Sequence, residues 1–181
     1  MSFIEKYVHS LGSSDLRDDE HHHATDALCA AALADASGRA LGSLLARVKY
    51  GDGSVHKAFE AGTGNLVALL RVWEARVKQQ GLARKWVTLR AEWDITAAEA
   101  LFKRVAHSSL AYWMDPNCSS CHGAKQTPDR RICPTCNGTG CAPIPGGGFE
   151  RERVADMVSE LQDLLMSHQR AAASLNRREG R

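Results

Sequence analysis

The chain has 181 residues and is almost neutral, with 23 Lys and Arg against 21 Asp and Glu. That is long for one domain and short for two at ~100–200 residues each, and so balanced a charge names no partner. Of the hydrophobic residues 26 are Ala, while Phe, Ile, Leu and Val together number 36, so much of the core must be close-packed Ala helix. A thin core makes a metal site or a partner a natural source of extra stability.

Charge-free runs are too short or too broken for a membrane helix, which needs ~18–20 residues. The run 27–34 supplies eight residues, and the longer run 132–149 is interrupted by Gly and Pro. No membrane partner is therefore expected. Glu5 and Lys6 interrupt the N-terminal apolar segment, so no signal peptide is expected either. Six cysteines fall well below the density of a disulfide scaffold. A reducing cytoplasmic setting is the expectation, in which clustered Cys mean metal or redox chemistry.

The chain reads as mainly α, a helical body with one irregular insert. Phe3, Ile4, Tyr7, Val8 and Leu11 share a helical face, with Ser2 and Glu5 at capping-box spacing and Gly12 as the stop. A second helix is predicted over 14–37, with Leu16, Ala27, Leu28, Ala31 and Ala32 as its apolar side and Gly38 as its breaker. Leu41, Leu44, Leu45 and Val48 form the next stripe, closed by Gly51-Asp52-Gly53. Leu66, Leu69, Leu70, Trp73 and Val77 come after Gly62-Thr63-Gly64. Residues 86–93 fit a short strand or a helix. Ile95, Ala98, Phe102, Val105, Ser109 and Tyr112 repeat at helical spacing, opened by Thr96 and Glu99 as a capping-box pair and ended by Pro116.

Beyond Pro116 the helical period is lost in a Gly- and Pro-rich stretch. It returns with Val154, Met157, Leu161, Leu164 and His168. The expected organisation is a helical body over 1–116, a knuckle over 117–145, and over 146–181 a C-terminal helix that packs back on the body and ends in a basic tail. No tandem repeat on the scale of the whole fold is visible.

Charge is uneven along the chain. Residues 1–60 carry 6 basic and 9 acidic side chains, residues 61–111 carry 8 and 4, and residues 112–181 carry 9 and 8. The middle block, with Arg71, Arg76, Lys78, Arg84, Lys85, Arg90, Lys103 and Arg104, reads as solvated helix faces or as a phosphate-contacting surface. Residues 84–112 admit a helix-turn-helix reading, with Trp93-Asp94 as the turn and 96–111 as the helix offered to a groove; an ordinary helical hairpin is slightly favoured over it.

Cysteine spacing is the strongest signal. Cys118-Ser119-Ser120-Cys121 and Cys133-Pro134-Thr135-Cys136 are two Cys-x-x-Cys pairs. Each pair can place two sulfurs on one side of a tight turn, and two such turns close a tetrahedron around one Zn²⁺. His122-Gly123 and Asn137-Gly138 come directly after the pairs, and Gly there permits a positive φ that turns backbone N–H groups toward thiolates. Four thiolates and Zn²⁺ leave a net charge of about −2, which Lys125, Arg130 and Arg131 would offset. A closed all-Cys set is structural, since catalytic zinc keeps an open position.

His122 is a weaker candidate ligand, Cys141 a spare thiol, and Cys29 a small buried hydrophobe in the Ala-rich helix. His21, His22 and His23 read as a solvated surface, because neighbours on a helix lie ~100° apart and cannot share a face. No Walker loop, Rossmann fingerprint or nucleophile elbow is present, so neither an enzyme nor a small-molecule substrate is expected.

The run Cys118-Ser119-Ser120-Cys121-His122-Gly123, then Cys133-Pro134-Thr135-Cys136-Asn137-Gly138-Thr139-Gly140, resembles a DnaJ-type zinc knuckle. A DnaJ co-chaperone carries further repeats of this kind and a His-Pro-Asp J-domain, and neither is visible. A mainly helical chain with one knuckle before a C-terminal helix resembles the late-gene antitermination protein Q family of lambda-type phages, over roughly residues 95–165. That resemblance implies a factor that binds double-stranded DNA near a phage late promoter, engages host RNA polymerase paused downstream, and lets it pass terminators. It carries Cys118, Cys121, Cys133 and Cys136 over as ligands of one structural zinc. No DNA- or polymerase-contacting residue carries over by motif; Arg84, Lys85, Arg90, Lys103 and Arg104, with Arg130 and Arg131 in the knuckle loop, rest on charge and position. The rival expectations are a DnaJ-like zinc chaperone or other zinc-binding interaction protein, and a thiol oxidoreductase.

Overall fold

Small residues at helical spacing set how the N-terminal helices pack in the computed structural model, which describes residues 3–11, 24–51, 64–88 and 90–179. The helices are α1 (Phe3–Leu11), α2 (Ala24–Ala34), α3 (Ala40–Ala46), α4 (Gly64–Ala83), α5 (Glu92–Met114) and α6 (Gly148–Glu179). The fold is mainly α, with the four clustered cysteines between α5 and α6. Among the described residues there is no strand, only two isolated antiparallel bridges, Asn117 with Cys141 and Gln126 with Ile132. Two compact units are formed: Met1–Val72 with Glu160–Arg181, and Trp73–Ser159. The division falls inside α4 and α6 and does not coincide with the sequence-based borders after 116 and 145.

In the first unit, α2 buries Ala27, Ala30, Ala31 and Ala34, a strip one methyl wide. This corrects the expected face in two places. Ala32 and Cys29 are exposed, because both lie on the side of α2 opposite that strip. The predicted break comes where Gly38 stands: Ser37 (φ −81, ψ 18) and Gly38 (φ 86, ψ 16) leave helical geometry, and the chain restarts as α3. Leu45 and Val48 are buried beyond it. The hydroxyl of Tyr7 on α1, itself buried, lies 3.2 Å from Ser43 Oγ and accepts from Arg47 Nε at 3.2 Å.

The C-terminal half of α6 comes against α3. A Cβ at Gly42 would overlap Cβ and Cγ of His168, so the absence of a side chain is what allows the approach. His168 is only 1% exposed, and its Nε2 meets Asp35 Oδ1 at 3.0 Å, beside the kink. Arg39 Nε donates to Ser167 Oγ at 3.4 Å. The stretch Ala27–Tyr50 also passes the test for a membrane span by length and mean hydropathy, contrary to the sequence-based exclusion. The exclusion counted charge-free runs, whereas this stretch carries Asp35 and Arg39 on either side of the break at Ser37 and Gly38.

In the second unit, Trp73 and Val77 of α4 are buried, as are Ala98, Phe102, Val105, Ser109 and Trp113 of α5. Trp73 Nε1 donates to Ser109 Oγ at 3.0 Å, which satisfies both buried polar groups. Trp86 and Phe102 meet with ring centroids 6.1 Å apart, and the Arg153 guanidinium lies 5.8 Å from the Trp86 centroid. Residues 84–91 are irregular, neither helix nor strand where described. The start of α5 also differs from expectation. It begins at Glu92, because Asp94 Oδ2 accepts from the N–H groups of Arg90 and Ala91, both at 2.9 Å. Trp93 and Asp94 thus form the first helical turn rather than a turn between helices, and Glu99 is free to pair with Lys78 at 2.8 Å. The expectations for Ser2, Gly12, Leu16, His21–His23 and Asp52-Gly53 lie outside the described residues.

Gly42→Ala should destabilise the first unit by about 1–3 kcal/mol, the usual cost of overpacking a closed contact. Urea unfolding with the mutant at equal m-value measures it; an unchanged midpoint would show that α6 can step back from α3.

Candidate metal centre

Each Cys-x-x-Cys pair leads into a tight turn built on left-handed backbone. After Cys121, His122 (φ 48) and Gly123 (φ 84) are both left-handed; after Cys136, Asn137 (φ 50) and Gly138 (φ 79) repeat this. Two residues further on, Lys125 (φ 67) and Gly140 (φ 83) are left-handed again. Ala124 N–H donates to Cys121 O at 2.8 Å, and Thr139 N–H to Cys136 O at 3.1 Å.

The two turns exchange equivalent bonds. Cys118 N–H donates to Gly140 O at 2.9 Å, and Cys133 N–H donates to Lys125 O at 3.0 Å. Ser120 and Thr135 join their hydroxyls at 2.8 Å. The bridges Asn117–Cys141 and Gln126–Ile132 flank the whole. Every one of these pairs is related by a shift of 15 residues, so the knuckle is an internal duplication, 117–126 on 132–141, with approximate twofold symmetry. Sequence reasoning sought repeats on the scale of the fold and missed this one. Its signal was present as Cys, Cys and Gly recurring at identical offsets.

This duplication brings the four sulfurs together. Cys118, Cys121, Cys133 and Cys136 are all buried, with Sγ atoms within 4.8 Å of one another. Cys118 and Cys133 Sγ are 4.0 Å apart, Cys121 and Cys136 Sγ 3.7 Å. A tetrahedral ion with metal–sulfur bonds of ~2.3 Å requires sulfur–sulfur edges of about 3.8 Å. The cage therefore fits such an ion, and its donor chemistry, soft thiolate on all four corners, fits zinc. All six cysteines are free thiols.

The backbone already favours negative charge at part of the cage. At Cys136 burial opposes ionisation, but the Gly140 N–H, donated to Sγ at 3.3 Å, and the thiols of Cys121 and Cys133 outweigh it and bring the thiol down to about 6. The backbone N–H of Cys121 leads in lowering Cys118. Cys121 goes the other way, up to about 11, through burial first and then the neighbouring Cys136 thiol. Four thiolates cannot share so small a space without a cation, and the divergence of these groups expresses that conflict.

The remaining candidates separate. His122 and Cys141 are exposed and stand outside the four-sulfur cluster. Burial first, and then the neighbouring Cys141, raise the Tyr112 phenol above its ordinary value. Arg84 and Lys85 come just after the end of α4 and Arg90 precedes α5, all exposed. The Trp86–Phe102 contact sets this turn beside the part of α5 that carries Lys103 and Arg104. Arg104 is engaged by Glu150, Nε to Oε1 at 3.2 Å, which lowers its availability to a phosphate. Arg130 and Arg131 are exposed at the tip of the knuckle loop. No protein-family model matches the chain, and no curated protein or solved structure matches it either.

One zinc should bind per chain, measured by elemental analysis. Cys133→Ser should lose most of it and Cys29→Ser none, since structural Zn²⁺ in isolated fingers is worth ~10–16 kcal/mol. Loading at pH 7 should release protons, the raised Cys121 thiol being one source, so affinity falls as pH falls. Calorimetry in buffers of different ionisation enthalpy reads the proton count; zero protons released would mean that the thiols are not the ligands.

Proposed function

We propose that this chain is a non-enzymatic, zinc-stabilised transcription factor of the antitermination type. It binds double-stranded DNA near a late promoter and host RNA polymerase, and acts on phage or prophage late genes in the bacterial cytoplasm. The observation that carries the reading is the closed Cys₄ cage between α5 and α6 of a mainly helical chain. That is the arrangement on which the resemblance to the Q family rests.

Chemistry supports a binding role. If Cys118, Cys121, Cys133 and Cys136 hold zinc, no coordination position remains for a substrate, and the ion supplies folding energy rather than catalysis. Exposed Arg84, Lys85, Arg90 and Lys103 provide sites for phosphate contact without base specificity. A second reading, a DnaJ-like or other zinc-binding interaction protein, is favoured by the apolar start of α5. There Trp93 is 74% exposed and Ile95 is exposed beside it.

On a template carrying a late promoter and a terminator, the zinc-loaded protein should raise terminator read-through by purified host polymerase, and Cys133→Ser should not. Lys85→Ala and Lys103→Ala should each weaken DNA binding and make its log K against log salt slope shallower by about 1. No gain in read-through, together with suppressed aggregation of a denatured test protein, would decide for the chaperone-like reading.

A further inference from the structure

Because the two halves of the knuckle build the same backbone, each is a control for the other. Lys125 occupies the left-handed position whose twofold mate is Gly140. Its carbonyl makes the same bond to Cys133 N–H that Gly140 O makes to Cys118 N–H. Beyond that point the halves diverge. Residues 125–132 read Lys-Gln-Thr-Pro-Asp-Arg-Arg-Ile, and residues 140–147 read Gly-Cys-Ala-Pro-Ile-Pro-Gly-Gly, without a single charge. The second half completes its share of the cage with no cation of its own, so the turn geometry that presents the sulfurs does not require one.

Hydrogen bonds fix the shape of the charged tip. Arg130 N–H donates to Thr127 O at 2.9 Å, Thr127 N–H to Arg131 O at 2.8 Å, and Thr127 Oγ1 to Arg131 O at 3.3 Å. Arg130 closes this turn with φ 58, at a bulge position where Gly or Asn is the least strained choice. Two of the three tip cations thus stand on backbone that glycine would adopt more cheaply. Side chains kept exposed at such a conformational cost point to a use for the side chains themselves.

We propose that the tip of the knuckle, Lys125 with Arg130 and Arg131, is a docking surface for the phosphate backbone of double-stranded DNA. Three exposed cations stand there against one carboxylate, Asp129: Arg130 and Arg131 on a turn closed by hydrogen bonds to Thr127, and Lys125 at the base of that turn. That charge complements a polyanion. Residues 117–148 contain no Phe, Tyr or Trp on which an unpaired base could stack, which favours a duplex over a single strand. The inference rests on the nucleic-acid part of the proposed function and gives it a site; it does not depend on antitermination.

Fluorescence anisotropy tests it with the zinc-loaded full chain, a mixed-sequence duplex of about 20 base pairs, and single-stranded RNA of equal length, across a salt series. The variants are Lys125→Gly, Arg130→Gly, and both combined with Arg131→Ala. Wild type should prefer the duplex, and each lost contact should make the salt slope shallower by about 1. Both glycine variants should keep full zinc content and a melting temperature equal to or above wild type. An unchanged slope in the triple variant, or tighter binding of the single strand, overturns the proposal while leaving DNA binding to other residues. Loss of zinc or of melting temperature in Lys125→Gly would assign that side chain to the fold and overturn it as well. A duplex that the wild type does not bind removes the nucleic-acid reading together with the proposal.

Discussion

Four sulfurs within 4.8 Å of one another are the constraint on which the segment between α5 and α6 depends. From 117 to 141 no other side chain is buried; the remaining buried residue there is Gly140. The segment therefore has no hydrophobic core in the ordinary sense, and burial of apolar area cannot offset the conformational entropy of ordering its turns. A cation bound by the four sulfurs would replace that core. The same sulfurs that would repel one another as thiolates would then become the cohesive element, their charge neutralised.

Cohesion of this kind still needs a backbone that presents the sulfurs from one side. Left-handed residues do this twice, at 122–123 with 125 and at 137–138 with 140. Gly140 shows how little room is left. A Cβ there would lie 3.0 Å from Gly123 O, and its N–H is needed by Cys136 Sγ. Lys125 reaches the same conformation with an exposed side chain, whose Cγ lies over Gly140, so a Cβ on Gly140 would come 3.2 Å from it. The duplication thus reconciles one backbone demand with two different surfaces.

Much of this was legible in the sequence, for reasons that differ between parts. Cys-x-x-Cys spacing identifies the four-sulfur cage because four cysteines at such offsets have few other uses, and the α5 stripe from Ala98 to Ser109 is legible because Phe102 and Val105 mark its face at helical spacing. The face of α2 was not. Ala27, Ala30, Ala31 and Ala34 are buried while Ala32 is exposed, and composition cannot tell one Ala from another when the helix is nearly all Ala. Cys29 was misplaced for the same reason. The start of α5 was missed because Thr96 and Glu99 offered a capping box of correct spacing. Asp94, by accepting from two backbone N–H groups, secured an earlier start. A local signal was read correctly as a signal and lost to a better-placed competitor.

Ala-rich packing has a further consequence for the first unit. With a buried strip only one methyl wide, α2 itself packs by close approach, and the bulk of the unit's interior comes from Tyr7, Leu45, Leu69, Leu161 and Leu165 on its other helices. Among the described residues, Tyr7 with Ser43 and Arg47, His168 with Asp35, and Arg39 with Ser167 add long-range polar links. The second unit is filled chiefly by aromatic rings, with Trp73, Trp86, Phe102 and Trp113 in its interior and one indole N–H satisfied by Ser109. A change of one methylene is felt most where neighbours cannot rotate away. In the first unit that place is Gly42 against the base of the His168 side chain, whereas at Gly81 the atoms a Cβ would meet belong to the rings of Phe102 and Trp86. A ring can swing about its χ angles, but a Cβ cannot move without its helix. The two units therefore differ in what limits them: backbone approach in one, side-chain repacking in the other.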